Sequence, residues 1–215
     1  RPMPTLDHLT VIAPTLADGV AHVRTCLGID MPFGRQHPDM GTHNHLLKLG
    51  EDVYLEVIAI DPAAPRPAHA RWFGLDDQAA VQQAWNSGLR LRGWVARTQQ
   101  MDALLAQHGS LLGRKMQLSA GTAPPYFFAI PPGGALPLAG VAPSVIDRGA
   151  RPPPIAAMPD LGARLLRFTI GHPEPAMVED LYATLGVANA PQVLRGDTVR
   201  YRAEINTPGG LKTLY

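Results

Sequence analysis

Three times along this chain a short apolar strand pattern gives way to Pro or Thr, then to an amphipathic helix, then to a glycine. The first run is Leu6 to Ala13 (LDHLTVIA), closed by Pro14 and Thr15. A helix is expected from about Leu16 to Leu27, with Val20, Val23 and Leu27 on one stripe and Gly28 as its stop. The second is Leu89 to Ala96 (LRLRGWVA), a helix from Gln99 to His108 and Gly109. The third is Arg164 to Gly171 (RLLRFTIG), a helix from about Pro175 to Leu185 and Gly186. A repeat of about 75 to 85 residues means that one supersecondary unit is built more than once. With 22 Pro and 21 Gly in 215 residues, long helices throughout are excluded, and short strands with turns must carry the rest.

Between the restarts, strand patterns fall at Thr42 to Leu49 and Val53 to Ile60, with an extended piece near 31 to 36. They recur at about Arg114 to Leu118, Tyr126 to Ile130 and Ala142 to Ile146. The fold class expected is α+β: paired βαβββ modules forming a curved sheet cup, with an additional C-terminal α/β unit. Residues 5–62 form the first module, 63–87 a Pro- and Ala-rich connector and a helix, and 88–149 the second module. Residues 160–215 are read as an incomplete third α/β unit packed on the body, because its opening strand is apolar.

Lys plus Arg (19) nearly balances Asp plus Glu (18), so no basic face for nucleic acid is implied. A single cysteine, Cys26, precludes an intramolecular disulfide and any thiolate metal cluster, which fits a reducing cytoplasm. No window resembles a membrane span, and Arg1-Pro2-Met3-Pro4 lacks the apolar stretch of a signal peptide. The expected partner is a small-molecule substrate, with neither nucleic acid nor membrane involved and homodimer formation left open.

The stretches LDHLTVIAPTLADGVAHVRTCLGI and RQHPDMGTHNHLLKLGEDVYLEVIAIDP resemble the opening module of glyoxalase-like proteins of the vicinal oxygen chelate superfamily. GWVART, PSVIDRG, LLRFTIGHPEPAMVEDLYATLGV and AEINTPGG are similar, in order, to the remainder of one glyoxalase-like family there. The resemblance implies a metal-assisted or metal-free lyase, isomerase or dioxygenase acting on a small oxygen-rich organic molecule in the cup. The alternative it implies is a non-catalytic binding or sequestering protein of the bleomycin-resistance type. It further implies a divalent metal ion (Zn, Ni, Mn or Fe) as cofactor, and no organic one.

Strand alternation places Leu6, His8, Thr10 and Ile12 on one face, and Asp7, Leu9, Val11 and Ala13 on the other. Tyr54, Glu56 and Ile58 likewise share a face. The helix must cover one side, and Leu9 and Val11 suit it, so His8 and Glu56 are expected to face the cup. The resemblance makes their strands neighbours, and thus makes His8 and Glu56 the expected catalytic pair and metal ligands. In the second module Leu91 stands where His8 would, and Asp147 where Glu56 would, so four ligands cannot be assembled from matching positions. The segment 37–45 holds three of the eight histidines; His43 and His45 share a face and Asn44 points opposite. The substrate-facing set expected is Tyr54, His43, His45, Asn44, Arg92 and Asp147. No H-E-x-x-H zinc helix, phosphate-cradling glycine loop or nucleophile elbow is present.

Overall fold

The computed structural model describes residues 3–215; Arg1 and Pro2, part of the terminus read above, lie outside the described residues. Strand β1 (Thr5–Ile12) leads to helix α1 (Leu16–Leu27), then β2 (Phe33–His37), β3 (Thr42–Lys48) and β4 (Tyr54–Ile60). The helix starts where the sequence says it must: the Thr15 hydroxyl accepts from the Asp18 amide, and Gly28 closes the end in the left-handed region. After helix α2 (Gln78–Asn86), the second set is β5 (Leu91–Arg97), α3 (Met101–Leu112), β6 (Arg114–Ala120), β7 (Ala123–Ile130) and β8 (Ser144–Asp147). The third is β9 (Arg164–His172), α4 (Pro175–Leu185), β10 (Gln192–Arg195), β11 (Arg200–Thr207) and β12 (Gly210–Leu214). Among the described residues no helix is long and apolar enough to cross a membrane.

Eight strands form one curled sheet in the order β2-β3-β4-β1-β5-β8-β7-β6. In each half the first strand pairs in parallel with the last (β1 with β4, β5 with β8), and the halves join through antiparallel β1 and β5. The third restart has the same element order but not the same pairing. Its sheet runs β10-β9-β11-β12, with β9 parallel to the strand directly after the helix.

The two faces of the large sheet part the core. On the helix side, Leu9, Val11, Leu55, Val57 and Trp94 pack with Val23 and Leu27 of α1 and with Phe168, Ile170, Tyr182 and Ile205 of the third unit. Tyr182 and Tyr201 donate to the Val141 and Gly140 carbonyls and tie the small sheet down. On the concave side, Ile12, Ile58, Val95, Phe128 and Ile146 meet Trp72, Phe73, Leu75 and Val81. The segment between the modules, read as a connector and a helix, therefore plugs part of the cup.

Three local departures have physical causes. Helix α3 runs past Gly109, its expected stop, to Leu112 with a break at His108, because Leu112 is buried with Met101, Ala129 and Val145. In β1 the register slips between Leu6 and His8, leaving Asp7 as the extra residue of a bulge. Leu6 consequently joins Leu9 and Val11 on the helix side, not His8 on the other. In β5, Thr10 opposes Gly93 and Val11 opposes Leu91, so Arg92 is likewise skipped.

Helix α1 can approach β4 because position 19 is glycine: a Cβ there would lie 2.2 Å from Val57 Cγ1. Gly19→Ala is expected to overpack this contact and destabilise the protein by about 1–3 kcal/mol. Urea unfolding measures it, and an unchanged midpoint would show that α1 is free to retreat.

Candidate active site

His8 and Glu56 meet at the floor of a cavity of about 120 Å³ on the concave face. Parallel pairing sets His8 opposite Tyr54 and Thr10 opposite Glu56, and brings His8 Nε2 to 3.3 Å from Glu56 Oε1. Tyr54 stacks on the imidazole with ring centroids 4.5 Å apart and planes 14° from parallel. Both ionisable side chains are buried.

The bulge supplies a third member. It turns Asp7 so that its Oδ2 lies 2.6 Å from His8 Nδ1. Arg148, directly after β8, grips the same carboxylate in a two-pronged contact at 2.7 and 2.9 Å and donates a further bond to the Tyr54 hydroxyl. Arg97 Nη1 stands 3.5 Å from Asp7 Oδ1 and also faces Asp52.

These contacts settle the charge states. Burial alone would raise Asp7, but hydrogen bonds from His8 and Arg148 outweigh it and hold the carboxyl well below the usual range. Burial would lower His8; the hydrogen bond of Asp7 and the negative charges of Glu56 and Asp7 beside it raise it above the ordinary imidazole value. Glu56 is lowered despite its burial, chiefly by His8 and then by His37 and Asn44. All three shifts favour an imidazolium between two carboxylates.

Asn44 fixes the orientation of Glu56. Its Nδ2 donates to Glu56 Oε2 at 2.8 Å and lies 3.2 Å from His37 Nε2, while its Oδ1 accepts from the Arg35 amide. A carboxylate only accepts, so the amide orientation follows, and His37 Nε2 must be an acceptor. His37 then donates through Nδ1 to Thr42 Oγ1, which also receives Trp72 Nε1. Burial, with the nearby cations, brings His37 down to about 4, so it is neutral, as this relay requires. Glu56 Oε1 is left without a hydrogen-bond donor; its contact with His8 has an ion pair's distance but not a hydrogen bond's angle.

Of the residues expected to face substrate, Tyr54 and Asn44 line this cavity, although Asn44 has its donors and its acceptor engaged. His43 and His45 do not line it. They sit on the other face of β3, where His45 donates to the Met31 carbonyl and His43 approaches Asp61 at 3.9 Å. Asp147 is one residue out of register: it shares the helix side with Val145 and accepts from the Met101 and Gly149 amides, while Arg148 joins Ile146 on the cup side. Arg92 is removed by its bulge. The sequence reading missed Asp7, Arg35, His37, Arg148 and Arg151. Continuing the alternation beyond Ile146 would have found Arg148, whereas the bulge that delivers Asp7 has no signature in the local pattern.

The divalent ion implied by the resemblance needs more than this pair offers. An ion between His8 and Glu56 would have two protein donors where metal sites take three or four. Leu91 and Ile146 of the second module contribute none, and three guanidiniums line the cavity. Among the described residues no group of three or more His, Cys, Asp or Glu side chains is placed to share an ion. The donor set does not fit a resident divalent metal.

Removing one member of a buried ion cluster leaves its partners uncompensated. Asp7→Ala is expected to cost about 3–5 kcal/mol of stability, read by chemical denaturation. A loss below about 1 kcal/mol would mean that water replaces the carboxylate freely.

A glyoxalase-like domain family model matches residues 6–186. No curated protein matches the sequence. Among solved structures, a hypothetical protein from Staphylococcus aureus is similar over 99% of both chains, at 9% identity and a TM-score of 0.56. Methylmalonyl-CoA epimerase from Mycobacterium tuberculosis is similar over 71% of this chain and 91% of its own (17% identity, TM-score 0.39). A methylmalonyl-CoA epimerase in complex with methylmalonyl-CoA and NH4+ aligns over 69% and 97% (14% identity, TM-score 0.40). With the modules, their pairing and the cup already described, the chain belongs to the glyoxalase-like domain family.

Proposed function

We propose that this protein is an enzyme of the lyase or isomerase kind that moves a proton at a carbon acid, acting on a small oxygen-rich organic molecule held in the cavity. The observation that carries the reading is Glu56 Oε1: a buried carboxylate oxygen with no hydrogen-bond donor, 3.3 Å from an imidazole nitrogen, at the floor of a cavity. An unsatisfied buried acceptor costs stability, and such costs persist at sites that use them.

In this reading Glu56 is the base and His8 the acid. The C–H bond next to a substrate carbonyl breaks, its proton passes to Glu56 Oε1, and its electron pair moves into the carbonyl to give an enolate. His8 Nε2–H stabilises or protonates that oxygen. Return of the proton to the same carbon epimerises it, return to a neighbouring carbon isomerises it, and departure of a β substituent completes a lyase reaction. Asp7 keeps His8 charged, and Asn44 keeps Glu56 turned toward it. A dioxygenase is disfavoured because iron sites of that chemistry use two His and a carboxylate, and the second histidine of this cavity, His37, has both ring nitrogens engaged by Thr42 and Asn44.

Glu56→Gln preserves shape and removes the base. Deuterium incorporation from D2O, followed over 2-oxoaldehyde thiol adducts and epimerisable acids, is expected to fall by at least about 10²-fold. Undiminished exchange in the variant would overturn the assignment. A protein that binds such compounds with no exchange in any form would be the sequestering protein instead.

The pH profile follows from the shifts. Glu56 must be ionised and is lowered, so activity should persist below the usual carboxylate range. His8 must be protonated and is raised, so activity should hold past about pH 6.5 before falling. A profile that instead rises through pH 6 to 8 would make neutral His8 the base.

A further inference from the structure

The Asp7, His8, Glu56 and Arg148 charges offset one another, two negative against two positive. Two further guanidiniums line the same cavity and are not part of that balance. Arg35 donates through Nη2 to the Tyr126 hydroxyl at 3.0 Å, and its Cζ lies 5.3 Å from the centre of that ring. Arg151, in the Pro-rich segment across the opening, lies 5.4 Å from the same ring centre. Among the described residues neither has a carboxylate within ion-pair distance; Asp39, which acts on Tyr126, is engaged by the Ser119 amide at 2.6 Å. Two half-buried cations held against one aromatic ring, facing a cavity and unpaired, repel each other until an anion arrives.

We propose that Arg35 and Arg151, placed by Tyr126, form the recognition site for a carboxylate of the substrate, so that the molecule turned over is a small organic acid. The inference rests on the enzyme reading for its reaction but not for its binding. A carboxylate matches the fork of a guanidinium in a two-pronged contact. The walls beyond it, Leu46, Trp72, Phe73 and Phe128, are apolar, and the cavity is small, so the acid is a short one. Arg151 also borders a second hollow of about 310 Å³ that shares Tyr54 and Arg148, so the carboxylate sits where the two spaces meet.

The test titrates the 215-residue chain with malonate, inorganic phosphate and dimethyl malonate by calorimetry at fixed ionic strength. Malonate should bind and should weaken at least about tenfold in Arg151→Met and further in Arg35→Met, as expected for lost charge-assisted bonds. The neutral diester should be indifferent to both changes. Arg151 is on a surface segment, so its variant keeps the test valid should Arg35→Met fold poorly. Absence of malonate binding to the wild type, or full affinity in Arg151→Met, would overturn the site. Phosphate binding without malonate binding would overturn the carboxylate assignment. Glu56→Gln should retain malonate binding or tighten it, since a nearby negative charge is removed, so that a lost exchange reaction with retained binding supports both readings. Retained exchange in that variant would strike the acid-base reading alone.

Discussion

A charged imidazole can be buried in this sheet only because carboxylates stand on both sides of it. Removing two charges from water costs more than their attraction returns unless each is paired and hydrogen-bonded. Here Asp7 reaches Nδ1 and Glu56 reaches Nε2, Arg148 caps Asp7, and Asn44 caps Glu56. Much of the local architecture serves that cluster. The β1 bulge turns Asp7, the parallel β1–β4 pairing sets the distance to Glu56, and the end of β8 delivers Arg148 from the other module. The cavity therefore depends on both halves, joined at the β1–β5 seam.

The modules were legible because local pattern and global fold agree. Thr15, the α1 stripe and Gly28 specify a helix whatever surrounds them, and the regular alternation of β4 put Tyr54, Glu56 and Ile58 on one face and Leu55 and Val57 on the other. Alternation failed where the register slips. Asp7 and Arg92 are skipped residues of bulges, and a bulge is set by the partner strand, not by the residues within it. The dense histidines drew attention to His43 and His45, yet the strand period gives the cup to Asn44 between them. Counting from Ile146 would have replaced Asp147 by Arg148, since two residues on in a strand return to the same face.

The size of the cavity was not readable at all. The sequence made 63–87 a connector and a helix, but it gave no sign that Trp72, Phe73, Leu75 and Val81 fill the cup from within, or that Trp72 closes the relay through Thr42 and His37 to Asn44. That contact joins residues 30 apart in sequence and exists only once the sheet has curled. The third unit shows the converse: its elements follow the pattern in order, but its strands pair differently, and it lines none of the cavity.

The acid-base pair requires His8 to be cationic between Asp7 and Glu56, and an NMR titration of the imidazole resonances reads that directly. His8 is expected to titrate above the ordinary imidazole value in the wild type and to fall when Glu56 is replaced by Gln. His37, expected at about 4, serves as the internal reference for a buried neutral ring. A His8 that titrates below the ordinary value, or that is indifferent to Glu56, would contradict the charge cluster and with it the acid-base pair built upon it.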